Sequence, residues 1–122
     1  LHFFKPITGL ISKKIEINKG HHGIDIVAEK NAGVKSTLNG KVIFSEWTVE
    51  TGHVIAVQHS NDLISIYKHN SVLLKKEGAV VQAGEVIAIV GNSGKFTNGP
   101  HLHFEIWFKG EPLNPSEIIN FK

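Results

Sequence analysis

Histidine is the residue type that stands out. The chain carries eight in 122 residues, against only two aspartates, Asp25 and Asp62. Imidazole binds borderline metals and exchanges protons near neutral pH. Three places put histidines beside other reactive groups. In His101-Leu102-His103-Phe104-Glu105-Ile106-Trp107-Phe108, strand alternation sends His101, His103, Glu105 and Trp107 to one face. Leu102, Phe104, Ile106 and Phe108 then point the other way, into a core. The two imidazoles, roughly 6.6 Å apart along such a strand, can address one metal ion, or they simply form the solvated face of an edge strand. In His21-His22-Gly23-Ile24-Asp25, a histidine and a carboxylate stand four residues apart. Fully extended they would be about 13 Å apart, too far to share an ion. Gly20 and Gly23 favour a bend that brings them together; the alternative is an Asp and a His in a polar turn. Tyr67-Lys68-His69 ends a predicted strand, where a lone histidine beside an aromatic is either structural or functional. Together these elements say more. One carboxylate and two imidazoles are a frequent ligand set for a catalytic zinc with an open position, and two further histidines would be left to act on water and substrate. The helical H-E-x-x-H arrangement is absent.

The elements that must position these groups are strands. Turn signals alternate with β-branched runs: Asn39-Gly40 before Val42-Ile43-Phe44, Thr51-Gly52 before Val54 to Val57, Ala83-Gly84 before Val86 to Val90, Gly99-Pro100 before Leu102 to Phe108. Val54 to His59 and Leu63 to His69 form a hairpin candidate around Ser60-Asn61-Asp62. The one helix candidate is Asn114-Pro115-Ser116-Glu117-Ile118-Ile119, with Asn114 as N-cap and Pro115 at the first helical position. The expected organisation is a single domain over residues 1–122, mostly β. Residues 1–20 form an irregular or edge-like segment, 21–110 the β core that carries the chemistry, and 111–122 a tail.

Composition excludes several classes. Without cysteine there is no disulfide scaffold, thiolate zinc site, iron–sulfur cluster or cysteine nucleophile. All thirteen basic residues are lysine, in runs no longer than a pair, and the formal charge is +2. The missing arginine fork argues against a nucleic-acid or phosphate specialist. No 18-residue apolar stretch exists to span a membrane. Opening at Leu1, the chain reads as a mature or excised domain whose targeting segment is missing.

Taken in order, these motifs resemble the lysostaphin-type, LytM-like zinc metallopeptidases. That family's pattern is an early H-x-G-x-D or H-x-x-x-D, a central aromatic-x-His and a late H-x-H. The counterparts are His21 to Asp25, Tyr67-Lys68-His69 and His101-Leu102-His103. Leu38-Asn39-Gly40-Lys41-Val42 is similar to the family's strand entry, and Lys76 to Ala88 to its K-x-G-x-x-V-x-x-G-x-x-I-A stretch. Val90-Gly91-Asn92-Ser93-Gly94 is similar to its turn before the H-x-H strand. The resemblance covers about residues 5 to 120. One turn departs from it: where the family often has Gly-Tyr-Gly-Asn, this chain has Glu50-Thr51-Gly52-His53, which leaves the groove wall open.

The resemblance implies a mostly antiparallel β-sheet core, a LytM/lipoyl-like barrel-sandwich hybrid with at most a short C-terminal helix, open to a groove carrying one zinc. It implies His21, Asp25 and His103 as the metal ligands. It implies His69 and His101 as the two non-ligand histidines that act on the water and the developing oxyanion, without deciding which is the base. His22 sits at a variable position, and His59 matches a supporting histidine. Glu105 either orients a ligand imidazole or is a solvent-facing or cross-strand carboxylate. The implied activity is a zinc endopeptidase cutting peptide stems or cross-bridges of bacterial peptidoglycan at the cell envelope, whether periplasmic, anchored through a missing segment or secreted. A missing N-terminal region or a cell-wall partner protein could complete it. Two other classes compete. One is a non-enzymatic relative that binds cell wall or activates a partner amidase; such relatives typically lose ligands, and here all five positions are filled. The other is a lipoyl- or biotinyl-carrier-like module suggested by Gly78 to Val90, which lacks the exposed lysine tip and leaves the histidines unexplained.

Overall fold

The computed structural model describes residues 1–91 and 99–122. Asn92, Ser93 and Gly94 of the turn expected before the H-x-H strand lie outside the described residues. Ten strands follow in chain order: β1 Leu10–Lys13, β2 Ile24–Val27, β3 Gly33–Lys35, β4 Gly40–Thr48, β5 Gly52–Gln58, β6 Leu63–Leu73, β7 Val80–Val81, β8 Val86–Val90, β9 His101–Phe108 and β10 Glu111–Leu113. One α-helical turn, α1 (Pro115–Ile118), closes the chain, with Asn114 Oδ1 accepting from the Ser116 amide at 3.1 Å, as the cap expected there. The described strands pair antiparallel throughout.

The main path runs β1-β2-β9-β6-β5-β4-β7. Two strands carry extra partners. β9 pairs β6 along one edge, while β2 and β10 take successive stretches of the other. β6 pairs β5 along one edge, while β9 and then β8 take the other, and β8 in turn pairs β3. The expected β5–β6 hairpin is present, with Asn61 and Asp62 left-handed in its turn.

The core lies on one face of this curved sheet. Leu102, Phe104 and Ile106 of β9 are buried there with Ile24 and Ile26 of β2, Ile55 and Val57 of β5, and Tyr67 of β6. Alternation on β9 thus holds for three of its four apolar residues. Phe108 departs from expectation: it is 39% exposed, because the strand runs on past the core. The N-terminal segment is more than an edge. β1 does sit at the sheet's rim, but Ile7 is buried in the core, and Phe4 anchors the segment through its amide to the Thr37 carbonyl.

A directed polar chain crosses this core. The Thr37 amide donates to the Tyr67 hydroxyl at 2.9 Å, which lies 2.7 Å from Ser65 Oγ. Ser65 Oγ lies 2.7 Å from His59 Nε2, and His59 Nδ1 is 2.7 Å from the Asn39 carbonyl. A carbonyl only accepts, so Nδ1 carries the His59 proton and Nε2 accepts from Ser65. Ser65 in turn accepts from Tyr67. Every donor has one acceptor, and His59 is held neutral; burial pushes its pKa down and drives the Tyr67 phenol up to about 12. His59 therefore has the supporting place expected of it.

Candidate metal centre

The opposite face of β9 gathers the histidines and carboxylates. Asp25 of β2 pairs directly with His103 of β9, so their side chains rise together from adjacent strands. Asp25 Oδ1 is 2.8 Å from His103 Nδ1. His21 lies before β2, where a turn through Ile17–Lys19 and a left-handed Gly20 brings the chain back. Its Nδ1 donates to the Lys14 carbonyl at 2.7 Å, which leaves Nε2 turned toward Asp25 Oδ1 at 3.4 Å. The bend read from Gly20 and Gly23 is therefore present. Gly23 is required for a second reason: a Cβ there would sit 2.2 Å from the Phe104 carbonyl oxygen, so only glycine lets this segment lie against β9.

His21, Asp25 and His103 each offer one donor atom, and these atoms lie within 4.8 Å of one another. Two imidazole nitrogens and one carboxylate oxygen suit zinc, and three protein donors leave room for a fourth. The residues present thus fit the ion that the sequence motifs imply.

His69 and His101 flank the triad. Their rings lie 5.6 Å apart, and His69 is 6.3 Å from the His103 ring. His69 reaches this face by an irregularity. Between the pairs His53–Asn70 and Ile55–Tyr67, one residue of β5, Val54, opposes two of β6, Lys68 and His69. Simple alternation would send His69 to the core beside Tyr67. The bulge, with His69 left-handed at φ 69°, turns it to the groove instead. Asn70 Nδ2 closes the bulge by donating to the Tyr67 carbonyl at 2.9 Å and the His53 carbonyl at 3.1 Å. The His69 amide donates to the Thr51 carbonyl, so the turn that departs from the family pattern bears on this histidine.

Glu105 shows what alternation alone could not: it is buried, not solvent-facing. Its Oε2 accepts from His103 Nε2 at 2.7 Å and from Lys68 Nζ at 3.0 Å, and its Oε1 from Trp107 Nε1 at 2.8 Å. His22 stands apart from the triad, with its ring 5.7 Å from that of Trp107. Beyond Trp107 the same sheet face continues into a shallow depression of about 420 Å³ with Ile64, Ile66, Asp62 and Lys109 at its walls.

The electrostatics separate these groups. Burial would raise the Asp25 and Glu105 pKa values. Hydrogen bonds and charge from His103, and then from His21, outweigh it at Asp25. Hydrogen bonds from His103, Trp107 and Lys68 outweigh it at Glu105, which falls to about 2. His103 is opposite: burial would lower it, but its two carboxylate partners raise it overall. His69 is lowered, first by burial and then by neighbouring His101 and His103.

Comparison with known proteins places the fold and the motifs together. The profile described as peptidase family M23 matches residues 19–115. The chain is 37% identical over 116 residues to murein hydrolase activator NlpD of Salmonella dublin, covering 93% of this chain and 30% of that protein. It is 36% identical over 98 residues to the DD-carboxypeptidase/endopeptidase Mpg of Neisseria meningitidis, covering 80% of this chain and 22% of that one. Among solved structures, a zinc-containing peptidase from Vibrio cholerae superposes with a TM-score of 0.71 at 31% identity, covering 92% of this chain and 36% of that chain. The chain thus spans less than a third of the curated relatives named here. It belongs to peptidase family M23.

Proposed function

We propose, from that membership and the site's geometry, that this domain is a zinc-dependent endopeptidase acting on the peptide part of bacterial peptidoglycan at the cell envelope. The observation that carries the reading is the convergence of His21 Nε2, Asp25 Oδ1 and His103 Nδ1 on one point, with two further imidazoles beside it. When bound, zinc supplies Lewis acidity to the scissile carbonyl and to the water that attacks it. His21, Asp25 and His103 hold the ion. The remaining work belongs to His69 and His101: one takes the proton from the attacking water, and the other donates to the developing oxyanion. Lowering of its pKa keeps the His69 ring neutral and able to accept. The peptide lies along the open sheet face that continues past Trp107, a groove suited to a polymer.

One observation favours a second reading. At 37% identity, one relative is named as a murein hydrolase activator, so the domain could act by switching on another hydrolase. Digestion of purified peptidoglycan with and without a chelator, followed by mass analysis of released fragments, separates the two. New peptide ends that vanish with chelator and return with zinc support the endopeptidase. Zinc binding without release of fragments sinks it and favours the activator.

A further inference from the structure

We infer that Glu105 is the positioning residue for the His103 imidazole, itself held by Lys68 and Trp107, so that Nδ1 and not Nε2 is presented to the metal. The inference rests on the metal-site reading above. Glu105 is 4% exposed, a place an isolated carboxylate would leave for water. Three donors keep it there, and they use both of its oxygens. They come from two strands, Lys68 from β6 and both His103 and Trp107 from β9, so the carboxylate cannot turn without breaking a bond. An anionic acceptor 2.7 Å from Nε2 fixes the ring proton on that nitrogen. Nδ1 is 2.8 Å from Asp25 Oδ1, and it is this nitrogen that gives up its proton when a cation takes the point where His21 and Asp25 converge. Without Glu105 the ring can rotate or take the other tautomer, which points a proton at the triad.

Two measurements test this, and neither needs cleavage. The first is zinc affinity, by competition with a chromophoric chelator, for the unaltered chain and for Glu105→Gln, Glu105→Ala and Lys68→Met. Outer partners of this type change metal affinity by roughly 10–100-fold, and Glu105→Ala should show a loss of that size. Glu105→Gln, whose amide oxygen still accepts from Nε2, should lose less, and Lys68→Met least. The second is long-range ¹H–¹⁵N NMR of the histidine rings in the zinc-loaded, unaltered chain, which decides the matter even if Glu105→Ala fails to fold. The expected spectrum has His103 protonated at Nε2 and metal-bound at Nδ1. A metal-bound Nε2 would overturn the inference, as would zinc affinities for both Glu105 variants within about twofold of the unaltered chain. Zinc binding that depends on Glu105, in a protein that cleaves nothing, would sink the peptidase reading and leave this one standing. No zinc binding by the unaltered chain would sink both.

Discussion

Two histidine neighbourhoods lie on opposite sides of the sheet, and they solve opposite problems. On the core side, His59, Ser65, Tyr67 and Thr37 form a chain in which each proton has one acceptor and neither nitrogen of His59 is left over. That arrangement is complete, neutral and without further chemistry. On the groove side, His21 and His103 spend one nitrogen each on the protein and turn the other toward Asp25. Three donor atoms within 4.8 Å of one another form an arrangement that a cation would complete. Residue type does not separate structure from function here. What separates them is whether a neighbour in the fold already uses the second nitrogen.

The contrast breaks most visibly at the ligands. Asp25→Ala or His103→Ala should lose more than about 100-fold in zinc affinity, beyond what loss of an outer partner costs, and cleavage should fall to the level seen with chelator. Equilibrium dialysis beside a peptidoglycan digest reads both. His101→Ala should keep its zinc and lose about 10²–10⁴-fold in turnover, the usual size of a proton-handling contribution. Turnover in a metal-free His103→Ala protein would overturn the mechanism.

The core side should respond in stability alone. Tyr67→Phe removes the acceptor of the buried Thr37 amide and the donor to Ser65, and should cost about 1–3 kcal/mol in urea unfolding with zinc affinity unchanged. The pH dependence sharpens the same point. The His59 pKa is depressed in the folded chain, so below its ordinary value near 6.5 the unfolded chain binds the extra proton. Its contribution is therefore fully present above that value and is lost as pH falls through it. The stability of the unaltered chain minus that of His59→Gln should fall between pH 7 and 5, by no more than about 1.4 kcal/mol per pH unit. A flat difference would place the His59 ring in contact with water. The smallest effect is expected at the bulge. His69→Gly removes a left-handed side chain and should leave stability within about 0.5 kcal/mol, although cleavage is lost.

Much of this was legible in the residues. Alternation put His101, His103, Glu105 and Trp107 on one face of β9, and the glycines around His21 signalled its return toward Asp25. Both were readable because they depend on neighbours in sequence. What could not be read depends on neighbours in space. Glu105 is buried because Lys68 of another strand reaches it, and no spacing on β9 reports that. The short strand β3 and the buried Ser36 and Thr37 are polar or brief enough to pass for loop, yet the Thr37 amide caps the Tyr67 hydroxyl. Phe108 fits the apolar pattern, but the core ends before it does.

His69 is the most instructive case, since motif and periodicity disagree there. The aromatic-x-His spacing points to the groove, whereas a regular strand starting from a buried Tyr67 points to the core. The bulge settles the disagreement by one surplus residue opposite Val54. That surplus has an evolutionary reading. Deleting the single codon for His69 would restore an even ladder and withdraw one imidazole from the groove. Removing one histidine from the groove would then need no exchange of strands, only one in-frame step in the middle of β6.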